Sequence, residues 1–168
     1  NLITNAFPIL KKLGFSATCF IVTSMLNKHN VWDENRGDYK KMKLMNIDHV
    51  YEWVSNGFEI GSHTKDHLDL TSLDINTKKE QIIDSKNFIK EVLGINLNSF
   101  AYPFGSFNDE TIKIVKKYYD FAVTTKPSKY NPNKFDNMKL PRISINKKTS
   151  IFKFLLKILT NYENLKYK

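Results

Sequence analysis

The stretch FEIGSHTKDHLDL, residues 58–70, passes from a short apolar run into a polar segment at Gly61. An apolar run of this kind is typical of a buried strand, and a parallel strand delivers the side chains that follow it to one edge of its sheet. The polar segment holds His63 and His67, two of the four histidines in the chain. Neutral imidazole is a good ligand for Zn²⁺ and similar divalent ions, and two histidines four apart can share one ion across a tight turn.

The rest of the sequence alternates apolar runs of strand length with amphipathic helical segments. The predicted strands are 16–23, 58–60, 99–103, 121–125 and 140–145, and the predicted helices are 5–13, 46–57, 76–93, 108–119 and 150–159. Residues 27–43 are polar and irregular, which indicates a loop or lid. This alternation favours an α/β fold with a parallel sheet covered by helices. In such folds the chemistry gathers at the carboxyl ends of the strands, where GSHTKDH, YPFGSFND and TTKPS all fall.

The net charge of +9 does not by itself indicate a nucleic-acid site. Arg36 and Arg142 are the only arginines, and the lysines that supply the remaining positive charge are scattered over most predicted elements. Arginine is the usual residue for bidentate recognition of phosphates and base edges. We therefore expect no nucleic-acid partner, while attraction to an anionic cell surface stays open. No apolar run approaches the roughly 18 residues of a membrane span.

Other common catalytic patterns are not found. The zinc-protease motif H-E-x-x-H needs a glutamate where this chain has Thr64, and neither a G-x-S-x-G elbow nor a phosphate-binding glycine loop occurs. The single cysteine, Cys19, lies in the apolar run ATCFIV and is interpreted as a buried small hydrophobe. Taken alone, the two histidines are also typical of a surface pair without a role.

Their context resembles the second motif of the polysaccharide deacetylases, carbohydrate esterases that remove N- or O-acetyl groups from sugars. In that family a strand ends in glycine, His-[Ser/Thr]-x-x-His follows, and a leucine comes shortly after, as in GFEIGSHTKDHLDL. SFAYPFGSFND is similar to the third motif, Phe-Arg-x-Pro-Tyr-Gly, which forms one wall of the substrate groove. NAFPILKKLGFSATCFIVT, FAVTT and LPRISI are similar in position to other segments of the family.

The resemblance implies a single catalytic domain over residues 1–168 with a distorted (β/α) barrel, incomplete at its N-terminus. The family's first motif, Thr-Phe-Asp-Asp-Gly, supplies a general base and the carboxylate ligand of the metal, and in relatives it lies just before the segment that begins here at Asn1. The opening NLITNAFPIL lacks an initiator methionine and the features of a signal peptide, which indicates a fragment or a mature piece.

Two further departures from the family pattern concern this chain's own residues. Ala101 stands where the family has the arginine that steadies the base, and no histidine follows His67 to serve as general acid. These departures keep two functions open. One is metal-dependent hydrolysis of acetyl groups, chiefly N-acetyl groups and hence carbon–nitrogen bonds, from a polysaccharide, although this piece could be inactive alone. The other is a non-catalytic glycan-binding or interaction domain on the same scaffold.

For the enzyme, the resemblance implies the following roles. His63 and His67 bind one divalent metal, Zn²⁺ or alternatively Co²⁺ or Ni²⁺, and the backbone N–H of Phe104 donates to the oxyanion. Arg142 is a candidate groove residue that meets a carboxylate or, equally, forms a surface ion pair. The implied partner is an N-acetylated glycan, and family members of this kind favour an extracytoplasmic or cell-envelope location.

The remaining candidates have a structural alternative beside the functional one. Tyr102 and Trp32 are candidate surfaces for stacking on a sugar ring, and packing in the core or loop is the alternative for both. We expect Asp66, the acid inside the histidine motif, to face solvent and not to replace the missing carboxylate. For Asp69 a solvated or loop-capping role is expected.

Overall fold

The computed structural model describes residues 2–35, 37–133 and 136–166 and shows a parallel sheet in the described residues. The strands run in chain order across the sheet, each parallel to its neighbour: β1 Thr18–Ile21, β2 Glu59–Ser62, β3 Ser99–Ala101 and β4 Phe121–Val123. The predicted parallel α/β architecture is therefore confirmed. Within the described ranges the sheet has four strands and does not close into a barrel.

The helices occupy the predicted segments with small shifts at their ends. They are α1 Phe7–Leu13, α2 Ile47–Ser55, α3 Ile75–Leu93, α4 Asp109–Val115, α5 Ile151–Leu159 and α6 Tyr162–Lys166, of which only α6 was not expected. The side chains of Asn46, Asp74, Asn108 and Ser150 accept hydrogen bonds from backbone N–H groups in the first turns of α2 to α5. Polar caps that satisfy otherwise unpaired N–H groups explain why these helices begin at these positions.

The prediction of a strand over residues 140–145 was wrong, because only Leu140 makes a β-bridge, with Val123 of β4. Leu140 N–H donates to Ala122 O, and Thr124 N–H donates to Leu140 O. The ladder stops after this bridge because Thr124 O accepts from the side-chain Nε of Arg142 and not from its backbone N–H. The segment still lies beside β4 and brings Arg142 to the carboxyl edge of the sheet, where Arg142 N–H donates to Lys126 O.

The core lies where the helices pack on the central strands. Its largest fully buried side chains include Trp53, Phe100, Tyr102, Leu70, Ile82 and Ile89. Gly61 of β2 has no space for a side chain, since a Cβ there would lie 2.5 Å from the ring of Phe20 and 2.6 Å from Ser99 Oγ. Close approach at Gly61 therefore fixes the packing of the strand that leads into the histidine segment.

The predicted loop over residues 27–43 is confirmed as irregular chain that returns close to its start. Asn27 N–H donates to Met45 O, and a single antiparallel bridge joins His29 to Lys43. Asn30 is a buried residue of this loop, and its side chain accepts from Met42 N–H at 2.7 Å. Because these bonds close the loop on itself, it presents Trp32 to the histidine segment. None of the described helices is long and apolar enough to cross a bilayer.

Candidate metal centre

His63 lies immediately beyond the carboxyl end of β2. Its backbone N–H donates to Ile21 O of β1 at 2.8 Å, so the residue continues the pairing of the two strands. Its ring nitrogen Nδ1 lies 2.7 Å from Ala101 O at the end of β3. A carbonyl oxygen can only accept, so Nδ1 carries the proton and Nε2 of the neutral ring carries the lone pair. Two neighbouring strands thus fix both the position and the tautomer of His63.

His67 reaches the same place by way of a tight turn. Thr64 and His67 both have left-handed backbone conformations, with φ of 67° and 60°. This region is unusual for side chains other than Gly, Asn and Asp, and it is least favourable for β-branched residues such as threonine. Thr64 is fully buried, and its Oγ1 accepts from His67 N–H at 3.0 Å. The hydroxyl of Thr64 therefore closes the turn that returns His67 to face His63.

The two rings point their Nε2 atoms at each other, 3.1 Å apart, with an angle of 84° between the ring planes. Two nitrogens bound to one tetrahedral Zn²⁺ at about 2.0–2.1 Å lie roughly 3.3 Å apart. The pair as it stands therefore fits the spacing of two ligands of one ion. His67 Nδ1 is buried and has no hydrogen-bond partner among the described residues.

The environment favours the neutral, ligating form of both imidazoles. Burial, with smaller effects of positive charge on His67 and Arg142, lowers the pKa of His63 to about 4, although the hydrogen bond to Ala101 O opposes this shift. Burial also lowers the pKa of His67, although the carboxylate of Asp33 opposes this effect. A neutral imidazole is the form that binds a metal, so neither ring has to lose a net charge to act as a ligand near neutral pH.

No group of three or more His, Cys, Asp or Glu side chains with metal-binding geometry occurs within 2–35, 37–133 and 136–166. Two histidines alone are an incomplete set, since zinc sites use three or four protein ligands. Asp66 does not supply the third. Its two carboxylate oxygens accept from Ser24 Oγ at 2.5 Å and Gln81 Nε2 at 2.6 Å. Asp66 thus does not replace the missing carboxylate, as expected, but its side chain is half-buried and not simply solvated, because these partners hold it against α3.

Two aromatic rings enclose His67. Trp32 stacks on its ring with a centroid distance of 4.3 Å and an interplanar angle of 19°, and Phe104 contacts it edge-on at 4.7 Å. Phe104 is 54 % exposed, while the ring of Trp32 is half-buried. His67 itself is only 7 % exposed. The histidine pair thus has an apolar, partly open surrounding, in which charges interact more strongly than in bulk water.

Phe104 lies in a short 3₁₀ turn, Pro103–Gly105, that follows β3. Its φ of 58° is again left-handed, and so is that of Gly105. A Cβ at Gly105 would lie 2.1 Å from Thr125 Oγ1, so only glycine fits there. N–H groups at the start of a helical turn have no acceptor within it, so the backbone of Phe104 is a candidate donor beside the histidine pair.

Tyr102 is 0 % exposed, and its hydroxyl donates to Met138 O at 3.0 Å. The sugar-stacking role considered for Tyr102 was therefore wrong, because the ring is part of the core beneath the groove. Arg142 donates from Nε to Thr124 O at 2.8 Å. Desolvation of the guanidinium lowers its pKa, although much of the side chain is exposed. Its positive charge makes only a small contribution to the lowered pKa of His63, after burial.

The sequence pattern did not single out Ser24 or Gln81, the two residues that hold Asp66. Gln81 is 2 % exposed on the inner side of α3. A polar residue directly before the apolar pair Ile82 and Ile83 was the available signal, since it breaks the apolar face of the helix where that face meets the histidine segment. Asp69 caps the turn Leu70–Ser72 by accepting from Thr71 N–H at 2.9 Å.

Comparison with known proteins places this geometry in a family. The family model for Polysaccharide deacetylase matches residues 1–119, which include both histidines and the turn at Phe104. The chain belongs to the polysaccharide deacetylase family. It is 34 % identical over 125 residues, 73 % of its length, to YxkH of Bacillus subtilis (strain 168), which is named as a polysaccharide deacetylase.

Another relative carries a more specific name, and a solved deacetylase structure has a similar fold. The chain is 30 % identical over 148 residues, 84 % of its length, to a poly-beta-1,6-N-acetyl-D-glucosamine N-deacetylase of Staphylococcus epidermidis. Among solved structures, the Streptococcus pyogenes deacetylase PplD in complex with acetate superposes with a TM-score of 0.79 at 25 % identity, over 94 % of this chain and 65 % of that one. The chain spans 40 % of YxkH and 49 % of the staphylococcal enzyme.

Proposed function

We propose that this deacetylase domain takes part in the metal-dependent removal of N-acetyl groups from a polysaccharide. The observation that carries the proposal is the convergence of His63 Nε2 and His67 Nε2 at 3.1 Å, at the carboxyl edge of a parallel sheet. The support for an N-acetylated glycan is the similarity to the staphylococcal relative, whose name states that it acts on poly-beta-1,6-N-acetyl-D-glucosamine. By the same analogy we propose an extracytoplasmic or cell-envelope location.

In this proposal, His63 and His67 hold one Zn²⁺, Co²⁺ or Ni²⁺ together with ligands that the described residues do not provide. When bound, such an ion polarises an acyl oxygen and lowers the pKa of coordinated water. Ala101 O keeps the proton of His63 on Nδ1, and the buried pair remains neutral near pH 7. The chain's own contribution is thus a lone pair on His63 Nε2, fixed by the bond to Ala101 O, and a second imidazole held beside it.

Phe104 completes the wall of the groove. The left-handed turn at Phe104 lies against His67, and its backbone N–H is proposed to donate to the negative oxygen that develops when an acetyl carbonyl is attacked. A well-placed donor of this kind contributes about 2.7–4 kcal/mol to the transition state. Trp32 covers the opposite face of His67 and excludes water from that side.

A second function, glycan binding without catalysis, is favoured by one observation. The only acid inside the histidine motif, Asp66, is held by Ser24 and Gln81, and the described residues contain no group of three side chains that could hold a metal. A domain that binds an N-acetylated glycan at the same groove would need neither a metal nor a base.

The test compares the full-length protein with its His63→Ala variant on an N-acetylglucosamine oligomer, with metal content measured on the same samples. Deacetylation and about one metal per chain in the parent, both lost in the variant, support the enzyme. His29→Ala is the matched control, because His29 lies on the 27–43 loop and forms its bridge through its backbone. Unchanged turnover in His63→Ala would refute the metal site. Glycan binding by a parent protein without turnover or metal would favour the second function.

A further inference from the structure

The histidine turn is strained, and something outside it has to hold it in place. Thr64 and His67 each adopt left-handed conformations, and residues in such conformations persist only when their surroundings over-determine them. The turn also has few contacts of its own: within it, Thr64 Oγ1 accepts from His67 N–H, and Thr64 N–H donates to Ser62 Oγ. The remaining restraints come from other elements.

One restraint comes from the chain after β1. Thr23 N–H donates to Thr64 O at 3.2 Å, and Ser24 N–H donates to Lys65 O at 2.9 Å. These two bonds hold the backbone of the histidine turn against the segment that follows β1. The same serine also contacts the turn through its side chain, since Ser24 Oγ donates to Asp66.

The other restraint is a set of three hydrogen bonds with Gln81 of α3. Gln81 O accepts from Lys65 N–H at 3.1 Å. Gln81 Oε1 accepts from Asp66 N–H at 2.9 Å, and Gln81 Nε2 donates to Asp66 Oδ2 at 2.6 Å. One buried amide thus bonds both the backbone and the side chain of the residue directly before His67. The second carboxylate oxygen of Asp66 accepts from Ser24 Oγ. The turn is therefore bound both by α3 and by the segment after β1.

We propose that Gln81 and Asp66 are positioning residues. Their paired side chains hold His67 Nε2 close enough to His63 Nε2 for both atoms to bind one metal ion. The inference rests on the proposed function, and it assigns the metal-binding geometry to a contact with α3 that involves neither ligand directly. The side-chain NH₂ of Gln81 donates to the carboxylate of Asp66, and the amide oxygen of Gln81 accepts from the backbone N–H of Asp66. A carboxylate at position 66 and an amide at position 81 are therefore complementary in hydrogen-bonding capacity.

Exchange of the two functional groups tests this complementarity. Gln81→Glu sets two carboxylates against each other, whereas Gln81→Glu combined with Asp66→Asn restores one amide facing one carboxylate with the polarity reversed. Asp66 N–H keeps an acceptor at position 81 in both variants, and Ser24 Oγ keeps an acceptor at position 66. A double-mutant cycle over these positions isolates the pair from effects on either residue alone.

Two measurements are made on the full-length protein. The first is the Zn²⁺ dissociation constant from competition with a chelator, and the second, on metal-free protein, is the ¹⁵N spectrum of the imidazoles with amide exchange at Asp66 and His67. We expect Gln81→Glu to weaken zinc binding roughly tenfold or more, the scale found when groups that orient ligands are removed. It should also speed amide exchange at both positions. The double variant should return to within about threefold of the parent.

Glu80→Gln is the matched control, because Glu80 neighbours Gln81 on α3 and forms an exposed ion pair with Lys65. Exposed pairs contribute little, so its zinc affinity and spectra should equal those of the parent. Parent-like values in Gln81→Glu overturn the proposal, and so does a folded double variant that binds zinc no better than Gln81→Glu. If Gln81→Glu does not fold, recovery of both folding and zinc affinity in the double variant supports the pairing. Recovery of folding alone, or of neither, contradicts it.

The results that contradict the proposed function differ from those that contradict the role of Gln81 and Asp66. A parent protein that binds no zinc and removes no acetyl groups contradicts the deacetylase proposal. The metal-free imidazole and amide measurements would still show whether Gln81 and Asp66 hold the turn.

Discussion

His63 and His67 meet Nε2 to Nε2 at 3.1 Å although one continues a strand and the other ends a left-handed turn. The strand residue is fixed by Ile21 O and Ala101 O, and the turn residue by the hydroxyl of Thr64. The convergence is therefore a property of three packed segments and not of the four-residue spacing by itself. Each segment can be perturbed separately.

Thr64 provides the first perturbation. Thr64→Ala removes the acceptor for His67 N–H in a fully buried position, while Thr64→Ser keeps it. Loss of a buried hydrogen-bond partner costs about 1–3 kcal/mol, so we expect Thr64→Ala to lower the free energy of unfolding by that amount. Urea denaturation of both variants measures the difference. Equal stability of Thr64→Ala and Thr64→Ser would show that the hydroxyl does not close the turn.

Gly61 tests the packing of the strand that carries His63. In Gly61→Ala the new methyl group would meet the ring of Phe20 and the hydroxyl of Ser99 at 2.5–2.6 Å, so neighbouring groups have to move. Overpacking of this kind costs about 1–3 kcal/mol. Gly37→Ala is the control, because nothing lies within 4 Å of a Cβ at Gly37. The unfolding temperature of Gly61→Ala should be clearly lower than that of Gly37→Ala, and the reverse order would contradict the packing described for β2.

The low pKa of His63 predicts a pH dependence for the metal-free protein. Folding lowers this pKa from 6.5 to about 4, so between these values the unfolded chain binds a proton that the folded protein does not. Above about pH 7 this group does not change the free energy of unfolding. As the pH drops from 6.5 to about 4, the group lowers the free energy of unfolding by about 3 kcal/mol in total.

The measurement is the free energy of unfolding from pH 7.5 to 4 in the presence of a chelator, for the parent and for His63→Gln. All other titrating groups are shared, so the difference between the two curves reports His63 together with its coupling to His67. The parent should lose more stability than the variant as the pH falls. Parallel curves would mean that the imidazole is not buried in its neutral form.

Much of the fold could be predicted because local signals agreed with one another. Asn46, Asn108 and Ser150 stand at the predicted starts of amphipathic helices, and the side chain of each caps the helix that follows. The apolar run around Cys19 indicated a strand covered on both faces, and β1 lies there. The strand expected at 140–145 was wrong for a reason that the apolar pattern does not show, since Thr124 O accepts from the side chain of Arg142 and the ladder stops after one bridge.

The site could be predicted only as far as its motif extends. His63 and His67 were identified from a resemblance, and the structure brings their nitrogens together. The surroundings of Asp66 could not be predicted, because Ser24 and Gln81 lie 42 and 15 residues away in sequence. Nor does the sequence show that Tyr102 points into the core, since consecutive residues Phe100, Ala101 and Tyr102 are all buried and alternation carries no information in such a strand.

Anomalous diffraction at the zinc edge, on crystals of the full-length protein grown with Zn²⁺, tests the metal centre most directly. We expect one strong peak about 2.0–2.1 Å from both His63 Nε2 and His67 Nε2, with the hydrogen bond from His63 Nδ1 to Ala101 O preserved. A stoichiometric zinc peak at any other place, with these two rings still in contact with each other, would contradict the assignment.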